Sequence, residues 1–561
     1  MLLKGNQEIA GMIGVIANPS EHSVVCEFFE LFKTPWEFYR SEGQYEVLLC
    51  SGNARLPENL AKLVLIYAGQ KLPFDAESEI EIASEQKETR ILSYGGIRIP
   101  IYGCSITFRE RGTVDSGDEG THQQAMHLEQ QKGRVLARIG YDLFGEVRAL
   151  LTLGQPAANA GIPALELHIA VLRDLIVASG FPLVEIPPVP AGYRFIACLT
   201  HDVDHPSIRH HKFDHTMFGF LGRAVLGSVF DVLRGRARLR NLLTNWAAAL
   251  KLPFVHLGLA KDFWHEFDDY TKLEKGLSSS FFVIPFKDNP GRTRRGPAPS
   301  RRASRYGATD IAGHIRKMIS AGCEVGVHGI DAWLDSSIGH EELEQIRRIT
   351  GIQDVGVRMH WLYFDEQSPA TLEKAGADYD STVGYNETVG YRAGTTQAYK
   401  PLEATRLLEL PLHIMDTALF FPAYLALSSN EASKRVDGII DNAVRFGGSV
   451  TVNWHDRSIA PERLWGDFYV GLVDELKNRE AWLSTASQAV SWFRKRRSAI
   501  FETVGGESRT LRVKIGLDGN EELPGLRLRV HKPGGSSQDT AISAAVSDHV
   551  HEISLNHRVA S

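Results

Sequence analysis

Between residues 195 and 456 one event recurs five times: a short apolar run of strand character breaks off into a cluster of ionisable side chains. The run at 195–200 leads straight into His201-Asp202-Val203-Asp204-His205, the run at 324–327 into His328, and the run at 354–357 into Arg358-Met359-His360-Trp361. The run at 408–412 leads into His413-Ile414-Met415-Asp416, and 449–454 into His455-Asp456. Helix-patterned stretches separate them at 311–321, 341–349, 432–445 and 471–477. Strand and helix in alternation predict a parallel sheet with crossover helices, an α/β fold. In a parallel barrel the catalytic loops gather at the C-terminal ends of the strands, so five such coincidences point to one site. Two more strand candidates, 280–284 and 377–380, bring the count to about seven, which suits a distorted (β/α)7-type barrel better than an eight-stranded one.

The rest of the chain brackets that core. Its 561 residues exceed what one hydrophobic core serves, and two to four domains are expected at about 150 residues each. Residues 1–190 mix apolar strands with helical stretches, carry no catalytic signature, and read as a mixed α/β accessory domain. Pro182, Pro187, Pro188 and Pro190 punctuate its end. The barrel is expected over 191–497, with a helical basic insertion at about 209–260. From about Ser498, period-two alternation at 510–515 and 526–530 predicts a small β-rich C-terminal domain. The segment from Arg109 to Lys132, rich in Gly, Ser, Gln and acids, reads as a loop or partly disordered connection.

A hydrophobic share of 43%, 23% charged residues and a net charge of −6 describe an ordinary globular protein with no nucleic-acid partner. Five scattered cysteines without a CxxC pair fit a reducing compartment. Residues 1–8 lack the basic flank and apolar run of a signal peptide, so a cytoplasmic protein is expected.

The ionisable clusters can be read chemically. Asp202 and Asp204 reach one site only if the turn after their strand is tight, and two close carboxylates call for a cation. One aspartate, two histidines and an open position make the ligand set of a catalytic zinc or similar divalent ion, which lowers the pKa of bound water to about 7 and polarises a carbonyl. The second carboxylate is then free as general base. His455, from another strand, is placed to protonate a leaving nitrogen. Asp416 is the candidate to orient it, and Arg358 the candidate to pair with Asp202.

These residues resemble the polysaccharide deacetylase (NodB-like) family, whose members have a distorted barrel of about seven strands. Thr200-His201-Asp202-Val203-Asp204 is similar to the family's first motif and implies Asp202 as base and Asp204 as metal ligand. Gly326-Val327-His328-Gly329 resembles the second and implies His328 as ligand. The usual second histidine of that motif falls on Ala332, so another residue must replace it: His360 is preferred, Asp331 the alternative. Arg358 matches the third motif's arginine, 410–416 a loose fourth, and Val452-Asn453-Trp454-His455-Asp456 the fifth, with His455 as acid. The stretch from Tyr379 through Thr395 resembles a bacterial subgroup found with surface-polysaccharide genes; Tyr385 and Arg392, with Trp361, are candidates to line a sugar pocket.

The resemblance implies removal of an N-acetyl group from an amino sugar of a polysaccharide or glycan precursor. A non-sugar amide or a sugar O-acyl ester is the alternative, and Ala332 leaves open an inactive carbohydrate-binding protein. The run from Met217 to Leu233, interrupted by Arg223 and Asp231 and followed by a basic stretch, is either a packed helical insertion or a peripheral contact with the inner membrane surface. The arginine-rich loop at 291–302 either binds phosphate groups or has no dedicated partner, and His205, His210, His211 and His215 read as a solvated loop.

Overall fold

The structure, a computed structural model, describes residues 12–52, 61–94, 96–109, 123–131, 133–235, 237–264, 267–504, 510–516, 523–542 and 550–554. The chain forms two compact units, the first from residues 1–192, 393–395 and 492–561, the second from 193–392 and 396–491.

In the first unit, strands β1 (Ile13–Ile16), β2 (Trp36–Phe38), β3 (Val47–Ser51), β4 (Leu63–Tyr67), β5 (Met126–Gln131) and β6 (Arg134–Ile139) form one sheet in the order β5-β6-β4-β3-β1-β2. All neighbours are parallel except β5 and β6. β3 and β4 are apolar and buried along their whole length, as strands covered on both faces must be. β5 corrects the sequence reading, which made its residues part of a loop: the polar stretch forms an edge strand, where one side lacks a sheet partner and charged side chains are tolerated. Residues 110–122 of that expected loop lie outside the described residues. Beside this sheet Arg138 and Asp75 form a fully buried pair. Arg138 Nε donates to Asp75 Oδ1 at 2.9 Å, and its Nη atoms donate to the carbonyls of Ala68, Ile139 and Gln70.

Residues 492–561 belong to this unit. Leu526–His531 pairs antiparallel with Leu183–Glu185 on one side and Ser537–Ile542 on the other. A two-stranded hairpin is marginal by itself, and the third strand comes from the N-terminal part of the chain.

In the second unit nine strands are parallel throughout: β7 (Phe195–Val203), β8 (Ser280–Val283), β9 (Glu324–Gly329), β10 (Val357–Met359), β11 (Tyr379–Asp380), β12 (Leu408–Glu409), β13 (Ile414–Met415), β14 (Ser449–Asn453) and β15 (Ala481–Ser484). Their order is β12-β11-β10-β9-β8-β7-β14-β13, with β15 also paired to β7. The two ends of that order, β12 and β13, are successive pieces of one stretch. Leu410 N–H donates to the Asp380 carbonyl at 2.8 Å, and His413 N–H donates to the Thr451 carbonyl at 3.1 Å. Between them sits Pro411, which has no N–H to offer either side. The sheet thus curls, barrel-like, until both edges rest on residues 408–415.

Local chemistry fixes the surrounding helices. Ser336–Thr350 starts at Asp335, whose carboxylate accepts from the N–H of Ser337 and Ile338, and ends at Gly351 with φ 76°. It buries Gly339, Glu342, Leu343 and Ile346, spaced along one helical face. Gly356, just before β10, has no alternative: a Cβ there would stand 2.1 Å from the Tyr379 ring.

Candidate active site

β7 delivers the two aspartates without the tight turn that the sequence reading required. The strand runs through Val203, and its period of two turns Asp202 and Asp204 to one side and His201 to the other. His201 is buried away from the site, with Nε2 3.0 Å from Glu274 Oε1 and Nδ1 2.8 Å from the Trp454 carbonyl.

Asp204, His328 and His360 converge from the ends of three strands. Asp204 Oδ1 lies 3.3 Å from His328 Nε2 and 3.3 Å from His360 Nδ1, and those two nitrogens are 3.0 Å apart. His328 Nδ1–H donates to the Arg358 carbonyl at 3.0 Å, which leaves the Nε2 lone pair facing the cluster. Asp204 Oδ1 is buried and makes no properly angled hydrogen bond. Three donors crowded together, with a buried oxygen left unsatisfied, fit a divalent cation, and their ligand atoms all lie within 4.8 Å of one another. Asp331 is not among them: its carboxylate accepts the Arg292 N–H at 2.7 Å.

Asp202 is clamped from two sides. Arg358 Nη1 donates to Oδ1 at 3.1 Å and Asn453 Nδ2 to Oδ2 at 2.7 Å, while Asn453 Oδ1 accepts the Asp202 N–H. Arg358 is held by the Ser381 carbonyl and hydroxyl and by Thr200 Oγ1. Burial pushes the Asp202 carboxyl up, but His328 and Arg358 outweigh it and hold the group below its ordinary range. Asp204 is held well below its usual value against the same burial, by His360 and His328.

His455 stands across the cluster, its Nε2 3.8 Å from Asp204 Oδ2. Asp416 accepts from its Nδ1 at 2.6 Å and from its backbone N–H at 2.7 Å, so ring and backbone are fixed together. Burial lowers the His455 pKa, yet Asp416 and the two β7 aspartates raise it to about 9. His360 goes the other way, to about 4, chiefly through burial.

One cavity of about 600 Å³ has Asp202, Asp204, His328, His360, Trp361 and His455 in its wall. Beyond the two aspartates, the charged residues of the wall are the arginines 223, 301, 302, 457 and 463. Arg457 stacks over Trp264, and its Nη1 is buried without a hydrogen-bond partner. Trp361 lines the cavity under Arg301. Tyr385 and Arg392 are not brought to it: Tyr385 is buried elsewhere, and Arg392 Nη1 donates to the Gly384 carbonyl at 2.9 Å. Asn386, from the same loop, takes the place expected of them on the wall.

Two further differences concern residues around the site. Asn453, Thr200 and Ser381 had no role in the sequence reading, although a polar residue inside a fully buried strand end was the available signal. His211, read as solvated, is buried, and it bridges His205 at 3.1 Å and Asp214 at 2.8 Å.

No protein-family model and no curated protein matches the chain. Several solved structures are similar to it. One, a candidate polysaccharide deacetylase from Mycobacterium smegmatis, is 16% identical, with 55% of this chain and 95% of that one covered and a TM-score of 0.33. The PuuE allantoinase is 14% identical, covering 55% and 93%, with a TM-score of 0.33. Agd3, a carbohydrate deacetylase, is 8% identical over 98% of this chain and 99% of its own, with a TM-score of 0.35.

Proposed function

We propose that this protein is a metal-dependent hydrolase that removes an N-acetyl group from an amino sugar of a polysaccharide or glycan precursor. The observation that carries this reading is the Asp204, His328 and His360 triad, with Asp202 on one flank and His455 on the other, open to a single cavity. Asp204, His328 and His360 would hold a divalent ion, zinc by the character of their N and O donors, and that ion would supply Lewis acidity to the amide carbonyl and acidify water. Asp202, kept ionised by Arg358 and Asn453, receives the proton of the attacking water. His455, kept protonated by Asp416, gives its Nε2 proton to the departing amine. Trp361 offers a broad apolar face to a sugar ring.

The arginine wall supports an acidic glycan, one bearing carboxylate or phosphate near the acylated sugar. Five scattered cysteines without a CxxC pair support the cytoplasmic side as the place of the reaction; recovery of the protein outside fractionated cells would contradict that. The decisive experiment is acetate release by the zinc-loaded protein from neutral and acidic N-acetylated oligosaccharides, O-acetyl sugars and a simple non-sugar amide. Turnover confined to the non-sugar amide would overturn the carbohydrate reading, and preference for O-acetyl sugars would make the protein an esterase.

A further inference from the structure

The helical insertion exposes apolar side chains that its own fold does not use. His215–Leu221, a π-helical turn at Gly222–Gly227 and Ser228–Leu233 run on as one helical stretch; a short turn leads to Leu239–His256. The two pack together through one face: Met217, Phe220, Ala224, Ala248, Leu252 and Val255 are buried in a common cluster with Trp264. On the other face, Leu239, Leu243, Trp246, Leu250, Phe254 and Leu257 recur every three or four residues along the second helix, and all are exposed, Leu250 by 77%. Phe218, Val225, Leu226, Phe230 and Leu233 are exposed along the first. Two apolar stripes on one helix, one buried and one open, are what a helix has when it packs on protein on one side and on something apolar on the other.

The charge around this face says what that something is. Residues 209–261 carry nine lysines and arginines against two acids, in a chain whose net charge is −6. Arg234, Arg238 and Arg240 stand exposed at the turn that joins the helices. Of these Arg240 pairs with Asp467, an exposed contact that holds little. His215–Leu233 is long and apolar enough to cross a membrane, but Arg223 within it is tied to Glu462 and its buried stripe packs with Trp264 and Ala460, which favours lying on a surface over crossing it. An apolar row with a cationic turn is the chemistry of an interfacial helix on an anionic bilayer.

We propose that residues 213–259 dock the protein on the surface of an anionic phospholipid membrane, with the open stripes in the acyl boundary and the arginine turn among the headgroups. Thr216 and Arg223 of this insertion also line the cavity, so docking presents the cavity to substrates held at the membrane; that clause rests on the proposed function, whereas the docking does not.

The test is co-sedimentation of the full chain with phosphatidylcholine vesicles, with and without about 30 mol% phosphatidylglycerol. Binding to the anionic vesicles, weakened by salt and cut on the order of tenfold in Leu250→Ser/Leu257→Ser and in Arg234→Glu/Arg238→Glu, is the expected result. Both double variants keep the wild-type melting temperature and zinc content, which separates lost docking from lost folding. Equal binding to neutral vesicles, or no vesicle binding together with a dimer in solution that the leucine variant breaks, would overturn the proposal. Acetate release from a water-soluble substrate reads the active site separately, and its failure would touch only the proposed function.

Discussion

Both units contain a sheet with buried, parallel apolar strands, and both bury an arginine against an aspartate, but the two pairs differ in what surrounds them. In the first unit, Arg138 spends its remaining donors on three backbone carbonyls, and Asp75 takes Arg138 and the Leu72 N–H. Every partner belongs to the scaffold. In the second, Arg358 is equally saturated, but Asp202 borders an open cavity and lies 3.9 Å from His328 across it. A buried charge closed on all sides holds a fold together, whereas one clamped from behind and open in front is ready to act on something that enters.

Exchanging the aspartates breaks or sharpens that contrast. Asp202→Asn should lower acetate release by roughly a thousandfold or more while metal content, read by elemental analysis, stays at wild-type level. Asp75→Asn should do the reverse: a loss of about 3–5 kcal/mol in denaturant unfolding, with unchanged turnover per folded molecule. If the two variants behaved alike, the distinction would be lost. Next in size, His328→Ala or His360→Ala should abolish stoichiometric zinc and make activity insensitive to chelators, because none would remain to inhibit. His455→Gln should cost roughly 10²–10⁴ in kcat; Asp416→Asn, acting only through the ring it orients, should cost about 10–100-fold.

The smallest effect belongs to the first unit and concerns pH. Burial raises Glu146 to about 7, against the pull of the Tyr102 and Gly103 N–H groups. Because the folded state holds that proton more tightly than the unfolded one, its contribution is full below about 4.5 and is lost as pH climbs to about 7, by about 3 kcal/mol. Unfolding titrations of Glu146→Gln should show that slope removed, with no change in the pH profile of acetate release.

How much of this was legible beforehand depends on whether a residue's role is set by its own strand or by its neighbours. Asp202, Asp204, His328, Arg358, His360 and His455 stand at or just past strand ends, so an apolar run broken by a charged residue exposes each of them in the sequence. Asn453 and Ser381 look like ordinary polar residues until the register of β7 against β14, and of β10 beside β11, brings them to Asp202 and Arg358. Tyr385 and Arg392 sit in a loop whose path no periodicity governs, and there the reading went astray. The C-terminal strands were visible by their alternation; that Leu526–His531 pairs with Leu183–Glu185, some 340 residues away, was not.

The position of β7 also bears on how the chain is made. It bonds on one side to β8 through Thr200–Val203 and to β15 through Phe195–Cys198, and on the other to β14, which is synthesised some 250 residues later. Throughout that interval the strand bearing Asp202 has one unsatisfied flank, a template for stray pairing with any nascent neighbour. Ribosome stalling or premature termination before residue 449 would therefore release a chain that is both inert and adhesive, and demand on chaperones should be concentrated in that window of translation.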